Sequence, residues 1–204
     1  MQKRQKMINI SGVSPNDDFL QIIKLIYLTD DYIYPEMCGN DYEYFEELML
    51  YLLDTDSIFS HKNISLAKFD GKIIGLALAF TNNQKIPSFS QDIKFEVRDC
   101  YKMVMDIYFN KILDELQPNF VYVNNLIVDH ENRKSGVGYA LIRYVQKIAG
   151  KKKIVLDCLE DNASAIALYK KCGFIVTDKF EGFSGDADSP VLCLRLETMG
   201  NDNC

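Results

Sequence analysis

The sequence predicts a single domain of mixed α/β fold that spans residues 1–204. Apolar β-branched runs alternate with segments in which apolar residues recur every three or four positions, which is typical of strands interleaved with helices. With 204 residues, 48% of them hydrophobic, the chain is long enough to form one full core. No internal repeat and no linker-like stretch divides the sequence, so we expect one domain.

The N-terminal half is predicted to contain three strands, at residues 8–10, 64–69 and 72–80, and two helices, at residues 18–28 and 42–53. Asp70-Gly71, between the second and third strands, is a hairpin signal. Residues 29–39 interrupt the helical pattern and contain Pro35 and Gly39, so we expect a loop there.

A long helix is predicted at residues 94–116, ending before Pro118. Its apolar residues share one face, and they are Val97, Tyr101, Val104, Met105, Tyr108 and Ile112. We expect this face to pack on the sheet. A lid over a pocket and a contact in a homodimer are the alternatives.

The C-terminal half is predicted to contain four strands, at residues 121–128, 153–159, 174–180 and 191–196, with one helix ending at Gly150 and another at residues 163–171. A strand, a helix and a second strand in succession form a right-handed unit with parallel pairing. We therefore expect strands 121–128 and 153–159 to pair in parallel.

A glycine-bearing loop follows strand 121–128 and opens the next helix, with the sequence Arg133-Lys134-Ser135-Gly136-Val137-Gly138. The first backbone N–H groups of a helix have no intrahelical partners and carry partial positive charge, so they bind phosphates well. Glycine lets the main chain approach such a ligand closely. The alternative is a tight strand-to-helix turn with no ligand.

Composition excludes several classes of function. The net charge of −6 and the pI near 5.0 disfavour nucleic-acid binding. No apolar run approaches the ~20 residues of a membrane helix, and the basic N-terminus does not precede a long apolar region. The six cysteines form no Cys-x-x-Cys pair, and there are two histidines, so we expect no metal site. We expect a reducing, cytoplasmic location.

Two motifs resemble those of one family. Arg133-x-x-Gly136-x-Gly138 after a hydrophobic strand resembles the acyl-CoA pyrophosphate loop of the GNAT (Gcn5-related) N-acetyltransferases. Asn162-Ala-Ser-Ala-Ile-Ala-Leu-Tyr169-Lys-Lys-Cys-Gly173-Phe174 resembles the family's Asn-x-x-A-x-x-x-Tyr-x-x-x-Gly-Phe segment. The resemblance is specific from about residue 120 to residue 180, and the earlier residues agree by pattern alone.

The resemblance implies an acyl-CoA N-acyltransferase-type fold, with a central, mostly antiparallel mixed sheet, helices on both faces and a splayed parallel strand pair. It also implies acetyl-CoA as cosubstrate and direct acetyl transfer to a primary amine. Tyr169 would protonate the leaving thiolate. The residues implied to bind acetyl-CoA are Leu126, Ile127, Val128, Arg133, Lys134, Ser135, Gly136, Val137, Gly138, Tyr139 and Asn162.

These residues also have simpler interpretations. Asn162 is well placed as a helix cap, and Tyr169 lies on a face with other packing residues. Arg133 and Lys134 could be solvated surface charges. The stretch Val121-Tyr-Val-Asn-Asn125, where some relatives carry a glutamate, offers no carboxylate as general base, so a water relay or a deprotonated substrate is required.

For the acceptor, the resemblance points to the first two helices and their connection. This region carries carboxylates interleaved with tyrosines, namely Asp30, Asp31, Glu36, Asp41, Glu43, Glu46, Glu47, Tyr32, Tyr34, Tyr42 and Tyr44. Carboxylates and aromatic faces suit a cationic amine, either a small molecule or a peptide. Two other functions remain open, which are a non-catalytic acyl-CoA sensor and an ATP- or NAD-binding enzyme. The glycine loop lacks the spacing typical of the latter.

Overall fold

The computed structural model describes residues 8–86, 98–182 and 191–198. Its seven strands are β1 (Asn9–Gly12), β2 (Ile64–Phe69), β3 (Lys72–Phe80), β4 (Phe120–Val128), β5 (Lys153–Leu159), β6 (Phe174–Gly182) and β7 (Val191–Thr198). They form one sheet in the order β1-β2-β3-β4-β5-β7-β6. Every neighbouring pair is antiparallel except β4–β5, which is parallel. The predicted mixed, mostly antiparallel sheet is confirmed.

The helices are α1 (Phe19–Tyr27), α2 (Ile33–Cys38), α3 (Tyr42–Leu53), α4 (Asp99–Val104), α5 (Asn110–Glu115), α6 (Val137–Ala149) and α7 (Ala163–Lys171). Buried residues of α1 to α5 form one apolar cluster with one face of the sheet, and those of α6 and α7 form a second cluster with the other face. Helices on both faces were predicted, and this prediction is confirmed.

The prediction of a loop at residues 29–39 is wrong, because α2 lies within it. The helix begins where the Asp30 carboxylate accepts hydrogen bonds from the backbone N–H groups of Tyr32 and Ile33. Pro35 is tolerated because it lies in the first turn, where an N–H has no intrahelical acceptor. Gly39 ends the helix in the left-handed conformation, at φ 62°.

The predicted long helix is present in the described residues as α4, a π-helical segment (Met105–Phe109) and α5. Its start at residue 94, and with it Val97, lies outside the described residues. Its apolar face is buried, since Tyr101, Val104 and Met105 lie in the first cluster, where α4 packs mainly against α2. A π segment shifts the face that a helix presents and is frequent at functional sites.

The two parallel strands separate after a short contact. Only three residue pairs join them, from Phe120 with Lys153 to Tyr122 with Val155. Beyond these pairs β4 continues beside β3, and β5 continues beside β7. The predicted splayed pair is therefore confirmed. A bulge lies at the point of separation, because Leu78 pairs with Asn125 and Ala79 pairs with Val123, which leaves Asn124 as the extra residue.

Gly75, on β3, allows the backbones of β3 and β4 to approach each other closely where it pairs with Val128. A Cβ on Gly75 would lie 2.7 Å from the Ile127 carbonyl oxygen and 3.3 Å from the Val128 Cα. Both are backbone atoms, so a strand must shift to accommodate the substitution. We expect Gly75→Ala to lower the free energy of unfolding by about 1–3 kcal/mol in denaturant titrations.

Gly12→Ala is the matched control for this prediction. Gly12 also lies in a strand, β1, and an added Cβ there would meet no atom within 4 Å. We expect its stability to equal or slightly exceed that of the unmodified protein, because alanine restricts the unfolded chain. Equal destabilisation by both substitutions would contradict the close approach at Gly75.

Candidate active site

The separation of β4 and β5 opens a cavity of about 240 Å³. Three residues predicted from the sequence line it together, namely Leu126 on β4, Asn162 before α7 and Tyr169 on α7. Ile127 and Val128 continue β4 beyond the bulge, and their Cα partners are both on β3. The edge of β4 that faces β5 has no strand partner along this stretch, so an extended ligand can lie against it.

The N-terminus of α6 is open to an anion. Asp18, Asp41 and Asn162 cap α1, α3 and α7 with side-chain hydrogen bonds, whereas Gly136 precedes α6 with no side-chain acceptor. The first intrahelical bond of α6 runs from the Ala140 N–H to the Gly136 carbonyl. The amides before Ala140 can therefore point at a phosphate.

The loop before α6 brings positive charge and close packing together. Arg133, Lys134, Ser135 and Gly136 are exposed, whereas Val137 and Gly138 are buried. The Arg133 Nε donates to the Val128 carbonyl at 3.2 Å, which ties the loop to β4. Lys134 has a positive φ of 58° and Gly136 a φ of 90°, so the chain turns sharply into the helix.

The remaining loop residues have local contacts. The Ser135 hydroxyl donates to the Asn132 carbonyl. The Tyr139 ring lies 5.2 Å from the Lys171 ammonium, which links α6 to α7. A Cβ on Gly138 would lie 3.0 Å from the Leu168 Cδ2, so this glycine allows the start of α6 to approach α7.

Asn162 has a structural function and a free donor. Its Oδ1 accepts from the Ala165 N–H at 3.1 Å and from the Ser164 hydroxyl at 3.1 Å, so the predicted helix cap is confirmed. The side chain is exposed and lines the cavity, and its NH₂ group can donate to a ligand carbonyl.

Tyr169 lines the cavity and is buried, with 8% of its surface exposed. Its ring packs 5.8 Å from the Phe174 ring. Burial raises the pKa of the phenol, and the nearby thiols of Cys158 and Cys172 add to this effect. The hydroxyl therefore stays protonated at neutral pH, as a proton donor must.

Asn124 and Asn125 form a polar network between β4 and α2. The Tyr34 hydroxyl donates to the Asn125 Oδ1 at 3.0 Å, and the Asn124 Nδ2 donates to the Tyr34 oxygen at 3.0 Å. The Asn125 Nδ2 donates to the Thr29 hydroxyl. These amides fix the bulge and the start of α2, and none of them is a base.

A second, wider cavity of about 460 Å³ adjoins the first. Asp30, Tyr108 and Asp157 line both. The Asp157 carboxylate accepts from the Arg195 guanidinium through both oxygens, at 2.9 and 3.1 Å, and from the Tyr122 hydroxyl at 3.1 Å. Burial raises the pKa of Tyr108 and Tyr122 well above the ordinary phenol value, so both stay protonated.

Cys158 also lines both cavities, but it is a poor nucleophile there. Burial raises the pKa of its thiol to about 11, and the nearby Cys193 and Asp161 add to this effect. The thiolate, which is the reactive form, is scarce at neutral pH. Cys158 is therefore poorly suited to carry an acyl group.

Comparison with known families shows to which family the chain belongs. The family model described as "Acetyltransferase (GNAT) family" matches residues 27–174, which is more than half of the chain. This chain belongs to the GNAT acetyltransferase family. The family resemblance found in the sequence is confirmed, and acetyl transfer is the general activity of this family. No curated protein matches the sequence at significance.

Solved structures share the fold of this GNAT chain. An N-acetyltransferase from Staphylococcus aureus Mu50 has a TM-score of 0.66 at 16% identity, with 93% of this chain and 100% of that chain covered. The ribosomal-protein-S18-alanine N-acetyltransferase from Escherichia coli has a TM-score of 0.54 at 15% identity, covering 97% and 99%. Naa50 from Arabidopsis thaliana, in complex with the bisubstrate analogue CoA-Ac-MVNAL, has a TM-score of 0.57 at 19% identity, covering 94% and 98%.

The wall of the wider cavity differs from the prediction. In the GNAT chain, Asp30, Asp31, Tyr32 and Tyr34 line one or both cavities. The other residues expected there line neither, and they are Glu36, Asp41, Glu43, Glu46, Glu47, Tyr42 and Tyr44. Residues of the π segment and α5 and residues of β5, β6 and β7 complete the wall. Sequence reasoning missed the contribution of the strands. The charged Asp157 inside an apolar strand was the available signal.

Among the described residues, no group of three or more His, Cys, Asp or Glu side chains is arranged to hold a metal ion. No helix in the same part of the chain is long and apolar enough to cross a membrane.

Proposed function

We propose that this GNAT protein transfers the acetyl group of acetyl-CoA directly to a primary amine of a small molecule or a peptide. One observation supports this most strongly: the cavity at the gap between β4 and β5 is lined by Leu126, Asn162 and Tyr169, and β4 runs from this cavity to the loop that opens α6. An acyl-CoA needs both, because its pyrophosphate and its thioester lie at opposite ends of an extended arm. The bisubstrate complex of the Arabidopsis relative is consistent with this cosubstrate.

In this proposal each residue near the gap has a defined task. The amides from Gly136 to Tyr139 hold the pyrophosphate, with Arg133 and Lys134 adding charge. The edge of β4 at Leu126, Ile127 and Val128 pairs with the pantetheine arm, and the Asn162 NH₂ donates to it.

At the reacting end, main-chain N–H groups near the Asn124 bulge polarise the thioester carbonyl. Tyr169 gives its proton to the thiolate as the C–S bond breaks. The phenol is protonated at neutral pH and regains its proton from the amine nitrogen, so it can relay a proton to the sulfur.

The wider cavity supports a cationic acceptor. Its described lining holds five carboxylates, Asp30, Glu115, Asp157, Asp178 and Glu181, and two basic side chains, Lys111 and Arg195. The aromatic rings of Tyr32, Tyr108 and Phe180 share the same space. This excess of negative charge attracts a positively charged amine, and the rings can contact its cation.

A panel of amines tests this proposal. Thiol release from acetyl-CoA would be measured with diamines and polyamines, neutral-tailed monoamines, acidic amino acids and peptides. We expect turnover with amines, and the highest kcat/KM with those that carry a second positive charge. Stabilisation of the protein by acetyl-CoA, without turnover on any amine, would instead support the acyl-CoA sensor.

The double variant Asp178→Asn/Glu181→Gln isolates the charge of the cavity rim. Both side chains are exposed and line the wider cavity only. We expect the KM for a diamine to rise roughly tenfold, since each lost rim charge costs ~1 kcal/mol at most. The KM for a neutral-tailed monoamine serves as the internal control and should change little. Equal effects on both amines would contradict charge recognition.

A further inference from the structure

The cavity at the parted strands contains few groups that could accept a proton from an amine. Among its described lining residues the carboxylates are Asp30, Asp31 and Asp157, and no histidine is present. The stretch of β4 beside the gap contributes the amides Asn124 and Asn125. A general base therefore has to come from one of the three carboxylates or from outside this lining.

Two of the three are poorly suited to the task. Both oxygens of Asp157 accept hydrogen bonds from Arg195, and one of them also accepts from Tyr122. Both oxygens are thereby engaged in charge-assisted hydrogen bonds, which leave Asp157 to hold Arg195 in place. Asp31 is exposed and lines the narrower cavity only, so it faces solvent and not the passage to the acceptor.

Asp30 has the required geometry. It is partly buried and lines both cavities, so it lies where an acceptor passes from the wider to the narrower one. Its Oδ1 is held by the Tyr32 N–H at 2.8 Å and the Ile33 N–H at 2.6 Å. The carboxylate is thereby oriented by the start of α2, and its second oxygen is available to a ligand.

We propose that Asp30 is the general base that takes the proton from the acceptor ammonium. This assignment rests on the proposed function. The ammonium loses one proton to the Asp30 carboxylate, and the freed lone pair forms the C–N bond at the thioester carbonyl. The C–S bond then breaks, the sulfur takes the Tyr169 proton, and the amide nitrogen loses its second proton, which restores Tyr169. The Asp30 proton passes to solvent, so one proton is released per turnover.

The surroundings of Asp30 favour this function. Burial raises the pKa of its carboxyl above the usual range, and the charge of Asp31 adds to this, while the two N–H groups act in the opposite direction. A carboxylate with a higher pKa is a better base. The charged and titratable groups around it are Asp31, Tyr34, Tyr108, Lys111, Asp157, Cys193 and Arg195.

Asp30→Asn tests the assignment. The amide oxygen can still accept from Tyr32 and Ile33, so we expect the fold and the affinity for acetyl-CoA to be retained. We expect kcat at pH 7 to fall roughly 100-fold, the usual contribution of a general base. Because an amine of pKa ~10 loses its own proton at high pH, the deficit should shrink steadily as the pH rises toward that value.

Asp41→Asn is the matched control, because Asp41 also caps a helix through a backbone N–H and lines neither cavity. Its kcat should equal that of the unmodified protein at every pH. A normal kcat in Asp30→Asn, or a deficit that is the same at every pH, would overturn the assignment. If the unmodified protein acetylates no amine, the proposed function fails first, and this assignment fails with it.

Discussion

Tyr169→Phe should lower kcat about 100-fold while the affinity for acetyl-CoA changes little. Tyr169 lines the cavity, and its phenol is protonated at neutral pH, so a proton is present when the thiolate leaves. Phenylalanine keeps the ring and its packing against Phe174. Steady-state kinetics and calorimetric titration with acetyl-CoA would separate the two effects.

Tyr144→Phe is the control for this substitution. Tyr144 lies on α6, is partly buried and lines none of the cavities at the gap. Loss of the Tyr144 hydroxyl should leave kcat unchanged. A Tyr169→Phe protein that binds acetyl-CoA poorly but turns over normally once saturated would show that Tyr169 holds the cosubstrate and does not donate the proton.

Gly136→Ala should weaken acetyl-CoA binding roughly 10- to 100-fold. Gly136 has a φ of 90°, where a residue with a Cβ is strained by about 1–3 kcal/mol. Relief of that strain turns the first amides of α6 away from the phosphates. Calorimetric titration would give the dissociation constant, and denaturant titration would give the free energy of unfolding.

Gly150→Ala provides a matched control at the other end of α6. Gly150 also has a positive φ, 64°, and a Cβ on either glycine would meet no atom within 4 Å. Both substitutions should lower stability through backbone strain. Only Gly136→Ala should weaken acetyl-CoA binding, and an equal loss of affinity in both variants would contradict a pyrophosphate site at the start of α6.

Much of this fold could be predicted from local sequence patterns. The β-branched runs of β3 and β4 and the cap at Asn162 are encoded within a few neighbouring residues, and the structure has them where the sequence predicts them. The separation of β4 and β5 was predicted from the family resemblance, since no local pattern specifies where two strands stop pairing.

What the sequence did not reveal depends on long-range contacts or on very short elements. With six residues, α2 is too short for an apolar period, and it starts where the Asp30 carboxylate accepts a hydrogen bond from the Ile33 N–H, which only the folded chain shows. The wall of the wider cavity contains Asp157 and Arg195, which meet because β5 and β7 pair in a particular register. Neither residue identifies its partner in the sequence.

The most direct measurement of the central claim is a crystal structure with CoA bound. The account predicts the pantetheine arm between β4 and β5, the pyrophosphate about 3 Å from the amides of Gly136 to Tyr139, and the sulfur beside the Tyr169 hydroxyl. We also expect the sulfur to face the narrower cavity, which Asp30 and Asp157 line together with Tyr169. CoA bound away from this gap, or with its sulfur directed away from Tyr169, would contradict the account.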